Sequence, residues 1–171
     1  MPTPFSGATL ISVEEYLATS YRPDCDYVDG RIEERNVGEW DHGKLQLAVG
    51  AYFLARAKRW GISVVTEQRV QVRPDRFRIP DVCVVVGDPG EQVLTRPPFL
   101  CIEILSPEDR MSRVEQRTDD YLRMGVPHVW VLDPLTKRAF VAATATGLRE
   151  VKDILRTEDP VLEMPLAEVF E

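Results

Sequence analysis

The sequence predicts an α/β fold, a mixed central sheet with helices on its faces. Three observations carry this. Two short runs, Val82-Cys83-Val84-Val85-Val86 and Phe99-Leu100-Cys101-Ile102-Glu103-Ile104-Leu105, are apolar at nearly every position, as strands covered on both faces are. Apolar residues recur at helical spacing over residues 41–60. The elements then follow in the order helix, several strands, helix, strand, which packs best as a sheet between helices. A length of 171 residues suits one domain over 1–171, with its core expected at about 40–135.

The elements can be justified in chain order. Ser12-Val13-Glu14-Glu15 is a capping box that starts a short helix ending near residue 18. Asp29-Gly30 is a hairpin turn joining residues 25–28 to 31–35. The helix over 41–60 carries Leu45, Ala48, Val49, Tyr52 and Phe53 on its apolar face and stops at Gly61. Residues 62–66 and 69–72 read as two strands or one long bent strand, with a turn at Pro74-Asp75. Strands follow at 81–86 and 99–105, separated by a loop over 87–98 that contains Gly and Pro. Ser106-Pro107 ends the second of these, and a helix over 111–124 is closed by Gly125. His128-Val129-Trp130-Val131-Leu132 is another buried strand, and Asp133-Pro134 turns the chain into 138–142. Residues 149–155 and 161–170 are expected to add an edge strand and a terminal turn, the latter a candidate dimer interface.

Composition narrows the function. The charged fraction of 29% is that of a soluble globular protein, and no apolar stretch approaches the roughly 20 residues of a membrane helix. No membrane association is expected. The N-terminus lacks the basic and apolar regions of a signal peptide. Cys25, Cys83 and Cys101 lack metal-ligand spacing, and two of them lie in apolar runs, which points to buried thiols in a reducing cytoplasm. A net charge of −7 repels nucleic acid at long range and argues against a DNA-coating protein. It leaves room for a nuclease, in which a local basic groove or bound metal reverses the sign. The arginines at 69, 73, 76 and 78 read as such a patch or as a solvated hairpin.

Glu103 is the most informative residue. A carboxylate inside an apolar strand needs a metal, a partner or a raised pKa. Asp81 stands just before the other apolar run, so two strands bring acids towards one spot, as in divalent-metal sites built on sheets. The competing reading of Glu103 is a buried salt bridge, with Arg117 as the candidate partner.

The order of elements and several local motifs resemble the putative restriction endonuclease family of the PD-(D/E)XK nuclease superfamily. The matching stretches are Asp26-Tyr27-Val28-Asp29-Gly30, His42 at the head of the long helix, Arg78-Ile79-Pro80-Asp81-Val82, Glu103-Ile104-Leu105-Ser106-Pro107, Tyr121 with Gly125-Val126-Pro127, and Trp130-Val131-Leu132-Asp133-Pro134. The resemblance covers roughly residues 10 to 155. It implies a restriction-endonuclease-like α-β-β-β-α-β core, here preceded by an extra helix and hairpin. It implies that Asp81, Glu103 and the backbone carbonyl of Ile104 hold Mg²⁺ or Mn²⁺, and that the substrate is nucleic acid, DNA first. Glu67 matches an acid that serves as a further metal ligand or as a partner of Arg117. His42 would orient water, bind metal or accept a proton.

One departure stands out. The motif's lysine position is Leu105, and the alternative lysine position four residues before Tyr121 is Arg117. Arginine can stabilise a charged transition state but cannot act as a base, because its pKa stays above about 12. Two functions therefore follow from the resemblance: a metal-dependent endonuclease, or a catalytically impaired relative that binds nucleic acid or partners. A homodimer is expected where both strands of a duplex are cut. Asp26 reads as a hairpin residue, Lys44 as a surface lysine and His128 as structural.

Overall fold

The computed structural model describes residues 9–36 and 38–171. Helix α1 (Val13–Ala18) precedes the hairpin β1 (Cys25–Val28) and β2 (Arg31–Glu34). Then come α2 (Trp40–Leu54), α3 (Ala57–Trp60), β3 (Ile62–Thr66), β4 (Val70–Arg73), β5 (Arg76–Arg78), β6 (Val82–Val86) and β7 (Leu100–Ile104). Helix α4 (Met111–Met124) leads to β8 (His128–Asp133), β9 (Arg138–Ala143), β10 (Gly147–Val151), β11 (Ile154–Arg156) and β12 (Glu163–Pro165).

The main sheet has six strands in the order β10-β9-β8-β7-β6-β3. Only β7 and β8 are parallel, joined by α4 as a crossover; the other neighbours are antiparallel. This is the expected α-β-β-β-α-β core, built from α2, β3, β6, β7, α4 and β8. Leu45, Val49 and Phe53 of α2 cover one face, against Val84, Leu100, Ile102 and Trp130. Tyr121 of α4, with Val70 and Val72 of β4, covers the other, over Cys83, Cys101 and Val129. Alternation along β7 therefore sends Leu100, Ile102 and Ile104 to the α2 side, and Cys101 and Glu103 to the α4 side.

A second sheet, β2-β1-β5-β4, joins the N-terminal hairpin to a hairpin inserted between β3 and β6. Its small core is Tyr16, Tyr27 and Phe77. The Asp29-Gly30 turn has φ of 51° and 84°, the left-handed pair that a two-residue hairpin needs. Ser12 caps α1 by accepting the Glu15 N–H at 3.0 Å.

Three expectations need correction. The helix over 41–60 is two helices, because the Arg56 N–H bonds the Phe53 carbonyl and tightens the turn. The Arg56 guanidinium then sits 3.6 Å over the Tyr52 ring and donates to the Tyr52 carbonyl. The stretch 62–72 is not one bent strand: Glu67, at φ 51°, turns the chain, and β4 leaves for the second sheet. Finally, residues 161–170 are more than a turn. Leu162, Met164, Leu166 and Val169 are buried in the α2-side core, while Val161 stays exposed.

Candidate active site

Antiparallel pairing of Val82 with Ile102 sets Asp81 beside the end of β7 that carries Glu103 and Ile104. Asp81 Oδ2 accepts the Ile104 N–H at 2.7 Å. In an extended strand the N–H and C=O of one residue face the same edge, so the Ile104 carbonyl faces Asp81 as well. The Asp81 carbonyl accepts from Gln46 Nε2 at 3.0 Å and from the Glu67 N–H at 3.2 Å. Both acids are 2% exposed. They form the floor of a cleft of about 1110 Å³ walled by α2, the segment before β1 and the start of α4.

Each acid already has a cation. Arg35, just past β2, donates from Nη2 to Asp81 Oδ1 at 2.9 Å. His42 Nε2 lies 3.3 Å from the same oxygen. Arg117 Nε lies 3.3 Å from Glu103 Oε2, close enough for strong attraction but without hydrogen-bond alignment. Its Nη2 donates to Asp109 Oδ1 at 3.2 Å. The Tyr121 hydroxyl donates to Glu103 Oε1 at 2.6 Å. Arg117 and Tyr121 are one helical turn apart, so both reach Glu103 from one face of α4.

The charges follow from these contacts. Burial pushes Glu103 up to about 7, against the pull of Arg117; the Asp81 charge adds to the rise. Burial also opposes charge on Asp81, but the hydrogen bond from His42 and the charge of Arg35 outweigh it, and its pKa is lowered. The bond to Asp81 in turn raises the pKa of His42, making the protonated, donating ring the favoured form.

Asp81, Glu103, Ile104, His42 and Arg117 thus meet in one place. Glu67 is exposed at the cleft wall and does not pair with Arg117, whose acidic partners are Glu103 and Asp109. Among the described residues no three His, Cys, Asp or Glu side chains converge as a ready metal cage. Lys44 is exposed on the cleft wall. His128 sits outside the cleft, with its Nε2 against the Glu158 backbone.

The sequence did not reveal Arg35, Gln46 or Asp109. Arg35 and Gln46 reach the site from far along the chain and Asp109 from the loop before α4, and no local pattern marks any of them. Asp26 is the hairpin residue expected, in β1, but it also carries an ion pair the sequence did not show. Asp26 Oδ2 accepts from the buried Arg78 at 3.0 Å, and burial raises its pKa. Arg78 also bonds Asp120 and Glu33. The basic stretch 69–78 is neither a solvated hairpin nor an open patch. Arg69 holds the carbonyls of Leu17 and Thr19, Arg73 and Arg76 hold Asp29, and Arg78 ties β1, β2 and α4 to β5.

A six-stranded mixed sheet with one βαβ crossover, and two acids at adjacent strand ends, defines a restriction-endonuclease-like fold. Residues 13–170 match the family Uma2, described as "Putative restriction endonuclease", and the chain belongs to that family. It is similar in structure to a crystallised protein from Anabaena variabilis ATCC 29413 described as a putative nuclease belonging to DUF820. The two share 20% sequence identity at a TM-score of 0.79, over 94% of this chain and 97% of that one. No functionally curated protein matches the chain.

Proposed function

We propose that the chain is a divalent-metal-dependent nuclease of the cytoplasm that hydrolyses phosphodiester bonds in DNA. The observation that carries this reading is the meeting of Asp81, Glu103 and the Ile104 backbone on the floor of one cleft. These groups suit Mg²⁺ or Mn²⁺. They are hard oxygen donors, and a dication would offset the burial, and the lesser repulsion from Asp81, that raise Glu103. Mg²⁺ is commonly held by one or two carboxylates with water and substrate phosphate, so a third acidic side chain is not required.

Asp81, Glu103 and the Ile104 carbonyl would hold the ion, with Glu67 on the wall available to a second ion or to water. When bound, the ion supplies Lewis acidity to a phosphate oxygen and lowers the pKa of an attacking water. Arg117 keeps a permanent positive charge beside Glu103, where negative charge grows on the phosphoryl oxygens. It moves no proton. His42 is placed to orient water, and it becomes able to accept a proton once Asp81 is engaged elsewhere. Arg35 holds Asp81 Oδ1 at 2.9 Å; were Asp81 to hold a cation instead, its guanidinium would be available to a phosphate oxygen.

One observation favours a second reading, a nuclease fold that binds without cutting. Arg35 and Arg117 neutralise the two acids without any metal, and Leu105 stands where the motif has lysine. Calorimetry with Mn²⁺, on the wild type and on Glu103→Ala without nucleic acid, separates the two. Binding that is lost in the variant, together with cleavage that needs Glu103, is the result expected of the nuclease. A wild type that neither binds Mn²⁺ nor cuts, but gains activity through Leu105→Lys or Arg117→Lys, would establish the second reading.

A further inference from the structure

One face of α2 is bare among the described residues. Trp40, Leu47 and Leu54 are 84%, 73% and 66% exposed. They lie seven residues apart and so form one stripe along the helix. Of the positions between them, Gly43, Gly50 and Ala51 are small and Lys44 is an exposed cation. A Cβ at Gly43 would meet nothing within 4 Å, and one at Gly50 would meet only Thr66 Cγ2 at 3.8 Å. The opposite face of α2 is already buried in the core. Large exposed apolar side chains aligned along a surface helix are a feature of interaction sites.

The stripe reads the same in both directions about Leu47. Trp40 and Leu54 are each seven residues away and Gly43 and Ala51 each four away, while Lys44 on one side answers to Gly50 on the other. An antiparallel second copy therefore sets Leu47 against Leu47, and Trp40 of each copy against Leu54 of the other. The glycines let the two backbones approach. The charges agree with this sense: Glu39 and Asp41 stand at one end of α2, and Lys58 and Arg59 stand beyond the other. We propose that α2 is the twofold interface of a homodimer, with a second copy of this chain seated on the Trp40, Leu47 and Leu54 stripe.

The pairing also bears on the cleft. Trp40 and Leu47 belong to its wall, along which acidic residues outnumber basic ones nine to five. An antiparallel partner brings Lys58 and Arg59 to that rim and offsets part of the charge that would repel a polyanion. The inference goes beyond the nuclease reading and does not depend on it, because the stripe involves neither Asp81 nor Glu103.

Sedimentation of the full chain between roughly 1 and 100 μM tests it, since one helix pair makes a small interface of about micromolar affinity. The mass is expected to move from 19.5 kDa towards twice that value. The emission of Trp40, the most exposed of the tryptophans, should shift to the blue over the same range. Leu47→Glu is expected to stay monomeric throughout with an unchanged melting temperature, because the side chain is exposed. Lys58→Glu should weaken the dimer, and adding Glu39→Lys should restore it. A wild type that is monomeric at 100 μM, or a Leu47→Glu dimer as tight as the wild type, would overturn the proposal.

Discussion

Glu103 sets the proton balance of the site. Its folded pKa, about 7, lies above the ordinary carboxylate value of about 4.3, so the fold favours its protonated form. That contribution to stability is complete below about pH 4.3 and is lost as pH rises through about 7. In the metal-free protein, Glu103→Gln should therefore melt increasingly above the wild type between pH 5 and pH 8; thermal scans with parallel pH dependence would refute this. Arg35 makes the opposite case. Arg35→Gln should cost about 2 kcal/mol in urea unfolding, because it strips Asp81 of a charged donor. The same change should tighten Mn²⁺ binding more than Lys44→Gln, a control on the cleft wall that lacks contact with the acid. The two acids were legible because a carboxylate in an apolar strand stands out. Arg35 was not, because it reaches Asp81 from 46 residues away through a loop without pattern.

At the scale of elements, α4 is the part that orients Glu103, and its end is held by Gly125. That residue has φ 103°, and its N–H bonds the Leu122 carbonyl. A Cβ there would stand 3.6 Å from Pro97, an ordinary contact, so the penalty is conformational. Gly125→Ala should cost about 1–2 kcal/mol in chemical denaturation. A loss below the error of that measurement would mean that the turn has another way to close. The bounds of α4 were readable because a glycine stop and Pro127 follow it directly. The break after α2 was not, because Ala55 and Arg56 are good helix formers and only the Tyr52 stacking and a shortened turn interrupt them. Strand β4 was found as a strand but not in its sheet, since its hairpin partner β5 joins β1 far back in the chain, and such pairing leaves no local trace.

At the scale of the whole molecule, the second sheet is tied by charge to α4, the helix that covers the six-stranded sheet. Arg78 is 1% exposed and bonds Asp26, Glu33 and Asp120, on β1, β2 and α4. Arg78→Met leaves buried Asp26 without its paired cation and Asp120 with Arg76 alone, and should cost roughly 3–5 kcal/mol, read by urea denaturation. The sequence showed the fold class and core order because those rest on periodicity. It hid this junction because ion pairs across sheets depend on topology. The junction decides where the protein can be cut. A fragment beginning at Trp40 keeps every strand of the six-stranded sheet, yet it abandons a buried guanidinium to Asp120 alone and takes Arg35 from Asp81. Set against a total stability of about 5–15 kcal/mol, such orphaned charges leave little margin. The six-stranded sheet is therefore not expected to fold as a separable module without its hairpin annex.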